Sequence, residues 1–164
     1  MQRDYESSEN SEIKGFSRKS GHDFLSNFYE STVAFEGKLY PSVEHAYQAA
    51  KSLDPSVREI IRKSKSSSEA KKLGQSIGVR ADWTAVRLSL MKTLLREKFE
   101  NPFLRFRLKN TQSSKLIHEN RNDRFWGTVN GEGENWLGRL IEEVRDEIFT
   151  EDSAEEAARS RGML

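Results

Sequence analysis

Tyr40-Pro41-Ser42-Val43-Glu44-His45-Ala46-Tyr47-Gln48-Ala49-Ala50-Lys51 reads as a turn followed by a compact helix that carries ionisable groups. Pro41 suits the turn because its φ is fixed, and Ser42 can cap the free N–H groups of the first helical turn. Glu44 then lies near the positive end of the helix dipole. At about 100° per residue, Val43, Ala46, Ala50 and Leu53 fall on one stripe, and Glu44, Gln48 and Lys51 on another almost opposite. An acid, an amide and an amine therefore share a face. Spacing alone favours a solvated surface whose charge pairs are worth roughly a few tenths of a kcal/mol. The alternative is a cleft closed by later segments, where burial would raise the carboxyl pKa and lower the amine pKa. His45 sits apart from both stripes and is expected to be a hydrogen-bonded structural residue.

Upstream, Phe24-Leu25-Ser26-Asn27-Phe28-Tyr29 and Val33-Ala34-Phe35-Glu36-Gly37-Lys38-Leu39-Tyr40 are rich in strand-forming residues. Glu36-Gly37-Lys38 can turn, so a small β element, a hairpin, is expected before the helix. Asn27 is either a polar probe in a pocket or a turn residue bonding its own backbone, and the sequence favours the second. Downstream, Asp54-Pro55 caps a helix whose Val57, Ile60 and Ile61 are expected to face inward. Ser66-Ser67-Ser68-Glu69 offers a capping box for a short helix closed by Gly74. Arg58, Arg62, Lys63, Lys65, Lys71 and Lys72 could guide a phosphate, yet Glu59 and Glu69 interleave, as on a solvated face. Asp82 reads as the cap of a long helix with Trp83, Val86, Leu90, Met91, Leu94 and Leu95 on its apolar side. Trp83 is core on spacing, with base stacking the alternative. Asn101-Pro102 stops that helix, and residues 103–109 form another short one.

The stretch from Asn120 to Asn135 has no helical or strand period and reads as a loop pinned by aromatics. Its Gly131-Glu132-Gly133 follows no clear strand and carries two carboxylates with Glu134, so tight turns explain the glycines better than a phosphate cradle. A last helix runs from about residue 136 to 149, with Leu137, Leu140, Ile141, Val144 and Ile148 inward. Residues 1–14 read as a mobile polar lead, 15–149 as one folded domain and 150–164 as a frayed tail.

The 164 residues carry 27 Lys plus Arg against 26 Asp plus Glu, so no global field calls for DNA or a membrane surface. A mean hydropathy of −0.80 and the absence of any long apolar run imply a cytoplasmic protein with no membrane span. Without cysteine there is no disulfide, thiolate nucleophile or Cys-ligated zinc, and three scattered histidines make a poor metal site. No metal and no cofactor are expected. Oligomeric state is open.

Taken in order, Phe24-Leu25-Ser26-Asn27-Phe28, Tyr40 to Ala49, Asp82-Trp83, Met91, Lys98-Phe99, Asp123, Phe125-Trp126-Gly127 and Asn135-Trp136-Leu137-Gly138 resemble the NADAR family, also called YbiA-like. The resemblance spans roughly residues 15–149. It implies a mainly α domain with a small N-terminal β element, an α+β class, and N-glycosidase chemistry on ribosyl compounds. The substrate would be a small-molecule ribosyl nucleotide, a phosphoribosylamino intermediate of riboflavin synthesis, or else ADP-ribosylated guanine in nucleic acid. Glu44 matches the acid of the family's EH motif, Lys51 its helix lysine, Trp83 its DW tryptophan, Asp123 and Trp126 its D-x-x-W-G loop, and Asn135 its N-x-L-G asparagine. The resemblance thus implies Glu44, Lys51 and Asp123 as catalytic, and Asn27, Trp83, Trp126 and Asn135 as substrate-binding. The chain departs from the family where many members read Leu-Val-Glu. It has Leu116-Ile117-His118, with Glu119 one place later, which bears on whether a second acid lines the pocket. Thr111-Gln112-Ser113 and Ile141-Glu142 also depart and bear on packing and specificity.

Cleaving a ribosyl C1′–N bond builds positive charge on the sugar, which a nearby carboxylate stabilises. Asp123 or Glu44 could do this or activate water, while a protonated carboxyl or an ammonium assists the departing amine. A second route has Lys51 attack C1′ and needs a neutral amine. Two other functions fit the sequence: a non-catalytic reader of ADP-ribose or NAD, and an interaction module using the basic run from Arg58 to Lys72.

Overall fold

A computed structural model describes residues 11–163. At its centre lies α1 (Val43–Ala50), and every residue of this helix is buried. The stripe of Glu44, Gln48 and Lys51 is therefore no solvated face: Glu44 is 6% exposed and Gln48 4%. Ser42 caps the helix, its hydroxyl accepting from His45 N at 3.2 Å. His45 is structural, bonded through Nδ1 to Ser42 Oγ at 2.7 Å and through Nε2 to the Ser64 carbonyl at 3.3 Å. Leu53 lies beyond the helix end and is 66% exposed, so it does not extend the apolar stripe.

Burial on all sides requires neighbours all round. A hairpin of β1 (Val33–Phe35) and β2 (Lys38–Tyr40) precedes α1, antiparallel, with Val33 opposite Tyr40. Its Glu36-Gly37 turn has φ of 46° and 78°, the left-handed pair that matches strand twist and that glycine adopts without strain. The earlier Phe24 to Tyr29 stretch is not a strand. Asp23–Leu25 forms a 3-10 turn that buries Phe24 and Leu25, and the chain then bends so that the Asn27 carbonyl accepts from Glu44 N at 3.0 Å.

Helices α2 (Pro55–Arg62), α3 (Ser67–Ser76) and α4 (Trp83–Phe99) pack against α1. Asp54 caps α2 by accepting from Ser56 N, and Ser66 caps α3 by accepting from Glu69 N. Only Ile61 of the three expected inward residues in α2 is fully buried; Ile60 faces out at 61% exposure. Helix α3 does not end at Gly74. That glycine lies inside it, on a stripe with Ser67 and Ala70 that meets α1. Asp82 precedes α4 but accepts no capping N–H through its side chain; its carboxylate accepts from Arg80 instead, at 2.5 and 2.8 Å. Asn101 caps α5 (Pro102–Lys109) by accepting from Phe103 N and Leu104 N.

A parallel pair closes the molecule. A strand from near the N-terminus, Glu12–Lys14, runs beside β3 (Lys115–Ile117), and Ile13 pairs with Leu116. The expected polar lead thus contains a strand at its end; residues 1–10 lie outside the described residues. The final helix, α6 (Trp136–Ser160), buries Leu137, Leu140, Ile141, Val144 and Ile148. It continues past residue 149 to Ser160, where Glu151 and Asp152 pair with Arg96, Arg105 and Lys109. The architecture is α+β, helices dominating over two small two-stranded sheets. Among the described residues, no helix is long and apolar enough to cross a membrane.

Candidate functional site

A cavity of about 290 Å³ opens where α1, α3, α4, the Ser26–Phe28 bend and the late loop meet. Glu44, Tyr47 and Gln48 come from α1, Lys71 from α3, Met91 from α4, and His118, Asn120, Asp123 and Trp126 from the segment after β3. Glu44 is held by Gln48, whose Nε2 donates to Glu44 Oε1 at 2.7 Å. Burial pushes the Glu44 carboxyl pKa up from its ordinary value, against the pull of the Gln48 bond and of Lys71 and Lys51, while Asp123 adds to the rise.

Asp123 is positioned by its own loop. Its Oδ1 accepts from Phe125 N at 3.0 Å and Trp126 N at 2.9 Å. Asn120 holds its backbone from both sides, Oδ1 accepting from Asp123 N at 2.5 Å and Nδ2 donating to Asp123 O at 2.8 Å. Trp126 is braced in turn: its Nε1 donates to the Tyr47 hydroxyl at 3.2 Å and its ring meets Tyr47 edge-on at 5.5 Å. Further along the loop, Asn130-Gly131 turns with φ of 52° and 82°, and Val129 and Glu132 bond across it. The glycine there serves the turn, as the sequence suggests.

Asn27 is the polar probe rather than the turn residue. It lines the cavity, its Nδ2 lies 3.5 Å from Met91 Sδ, and its Oδ1 is buried without a donor in the protein. His118 lines the same wall, stacked on Phe16 at 5.3 Å, with Nδ1 also buried and unpartnered. Burial lowers the His118 pKa, so the ring is neutral at pH 7. Glu119 is exposed, lies near Lys14 and does not line the cavity. His118, and not Glu119, supplies the wall at this point.

The structure thus brings Glu44, Asp123, Asn27 and Trp126 together and leaves Lys51, Trp83 and Asn135 off this cavity's wall. Lys51 is half-buried with Nζ 5.6 Å from the Tyr47 ring centre, and burial lowers its pKa while Glu44 opposes the drop. Trp83 packs behind Tyr47, ring centres 5.0 Å apart. Asn135 is a clamp: Nδ2 donates to Leu116 O at 2.8 Å and Oδ1 accepts from His118 N at 2.9 Å, which fixes β3 to the start of α6. It holds the His118 backbone and does not reach the cavity itself.

Residues 7–149 match the NADAR domain. The chain belongs to the NADAR family. It is 36% identical over 143 residues to N-glycosidase YbiA of Escherichia coli K12, covering 85% of this chain and 89% of that one. A riboflavin biosynthesis protein of Vibrio vulnificus is 35% identical over 131 residues, 77% of this chain and 36% of the relative. The NMR structure of E. coli YbiA superposes with a TM-score of 0.80 at 34% identity, covering 92% of both chains. Within this NADAR fold, sequence reasoning passed over Lys71, Tyr47 and His118 as wall residues. Lys71 had a signal: it sits on the helical stripe of the small residues Ser67, Ala70 and Gly74, the side by which α3 approaches α1.

Proposed function

We propose that this chain is an N-glycosidase that hydrolyses the C1′–N bond of a phosphoribosylamino compound or of ADP-ribosylated guanine. One observation carries the reading: Glu44 from the first helix and Asp123 from the late loop share one cavity with Trp126 and Asn27. The names of the relatives support the same chemistry. Glu44, whose protonated form burial favours, supplies a proton to the departing nitrogen. Asp123, with Oδ1 fixed by two backbone N–H groups, faces the cation that develops at C1′ and orients the attacking water. Trp126 covers one sugar face, and the unpartnered Asn27 Oδ1 accepts from a sugar hydroxyl. The cavity volume sits near the lower edge of small-molecule sites, roughly 300 Å³, which fits a compact ribosyl group with the base directed outward. The reading keeps the expectation of a cytoplasmic enzyme.

Incubation with a panel of ribosyl amines and ADP-ribosylated guanosine, following base release, tests the proposal. Release that disappears in Glu44→Gln and Asp123→Asn is the expected result. Binding without release by the wild type would overturn hydrolysis in favour of a reader. Borohydride during turnover separates the routes: trapped substrate on Lys51 would replace direct water attack, and turnover without trapping supports it.

A further inference from the structure

We propose that Lys98 is a positioning residue of this site: from the interior of α4 it holds the Ser26–Phe28 bend, and through the bend it places Asn27 in the cavity. The inference rests on the reading above for the role of Asn27 and adds the residue that sets it. The bend is fastened, carbonyl by carbonyl, to three different helices. Ser26 O accepts from Lys98 Nζ of α4 at 2.7 Å, Asn27 O from Glu44 N of α1 at 3.0 Å, and Phe28 O from Ser67 Oγ of α3 at 3.1 Å. Ser26, Asn27 and Phe28 all line the cavity, so these attachments set one of its walls. The middle one also joins the bend to the proposed acid, because Glu44 N is a first-turn donor that α1 itself cannot satisfy. The Asn27 side chain reaches α4 through the 3.5 Å approach of Nδ2 to Met91 Sδ, too long to fix it. Its place depends on the backbone that carries it.

Stability does not account for Lys98. The residue is 0% exposed, its hydrogen bond goes to a neutral carbonyl, and burial disfavours its charged form, lowering its pKa to about 7. Ser26 O also accepts from Tyr29 N at 3.2 Å, so the carbonyl keeps a partner without the amine. Nζ lies 5.7 Å from the ring centre of Tyr29 and 5.5 Å from that of Phe99, and the acid whose charge acts on it is Asp23. Methionine would occupy the same apolar surroundings at a lower desolvation cost. It could not join α4 to the bend.

Amide hydrogen exchange, read by NMR on the ligand-free protein at pH 6, tests the attachment. In Lys98→Met, Glu44 N–H is expected to exchange about tenfold faster or more, while Leu94 and Leu95 within α4 keep at least their wild-type protection. Unchanged exchange at Glu44, a loss of protection that extends through α4, or a variant that fails to fold overturns the proposal. Kinetics then test the route through Asn27. With a substrate that the wild type turns over, Lys98→Met is expected to lower kcat/KM by about tenfold when Asn27 is present and by under about twofold in an Asn27→Ala background. Equal losses in both backgrounds, as a general structural role would give, overturn it. A wild type that releases no base refutes hydrolysis, whereas the exchange comparison needs no substrate and decides the attachment separately.

Discussion

Two buried ionisable residues set opposite pH signatures. Glu44 has its pKa raised in the fold, so above its ordinary 4.5 the unfolded chain has released a proton that the folded chain still holds. Stability contributed by this group is full below that pH and is lost as pH rises through the folded value. Glu44→Gln removes the penalty while keeping the shape. Base release is expected to fall by about 10²-fold or more, while the thermal midpoint holds or rises, with a gain that grows from pH 4 to pH 8. A variant that loses activity together with several degrees of stability at every pH would mean that Glu44 is structural. Lys98 works the other way. It is fully buried with Nζ donating to Ser26 O at 2.7 Å, and burial lowers its pKa to about 7 from 10.5. Between those values the unfolded chain carries a proton that the folded chain lacks, so stability climbs with pH, by at most about 1.4 kcal/mol per unit. Lys98→Met is expected to be most stabilising relative to wild type below pH 7, the difference shrinking toward pH 10. Denaturant midpoints at pH 6, 8 and 10 check this, and a pH-independent difference would refute the buried-charge account.

At the level of elements, the local signals were legible and the long-range ones were not. Ser42, Asp54 and Ser66 each sit where the sequence places a cap, and each accepts the expected N–H, because capping is decided within three residues; Asn101, read only as a helix stop, also caps α5, and Asp82, read as a cap, does not cap α4. Glu36-Gly37 is equally local. The burial of the Glu44 face, the parallel pairing of residues 12–14 with β3 and the arrival of Lys71 at the cavity all depend on partners far along the chain. Composition could not reveal them. Asn27 and Glu44 were readable as site residues through the family pattern rather than through their own spacing. Gly74 shows the difference most clearly: in sequence it resembles a helix stop, and in space it is where α3 meets α1. A Cβ there would lie 1.9 Å from Gln48 Oε1, 2.7 Å from Cδ and 2.8 Å from Cβ. The amide end could swing aside, but Gln48 Cβ cannot move without α1. Alanine gains roughly 1 kcal/mol of helix propensity, against about 1–3 kcal/mol for overpacking. Gly74→Ala is therefore expected to be neutral to destabilising and, by displacing the amide bonded to Glu44, to cut base release well beyond its effect on stability. Unchanged turnover would show that the Gln48–Glu44 bond is dispensable.

For the molecule as a whole, catalysis and stability are drawn from different regions. The cavity is built from the Ser26–Phe28 bend, α1, α3, α4, the late loop and the first turn of α6. The last turns of α6 contribute no residue to this wall and instead continue a ladder of charges down α4 and α5. Lys92 pairs with Glu143 and Glu147, Arg96 with Glu147 and Glu151, Arg105 with Glu151 and Asp152, and Lys109 with Asp152. Each pair is partly exposed and worth roughly 0.2–1 kcal/mol, but shared acids join them into a network. Ending the chain after Thr150 removes Glu151 and Asp152, which strands Arg105 and Lys109 on α5 and leaves Arg96 on α4 with Glu147 alone. The truncated chain is expected to lose about 1–2 kcal/mol of stability, with the deficit narrowing in 1 M salt as the lost attractions are screened. Well below both thermal midpoints it should release base at the full-length rate. A salt-insensitive loss of stability would mean that backbone and packing, not charge, hold the end of α6. A loss of turnover at low temperature would mean that the far end of this helix reaches the site through the core it seals.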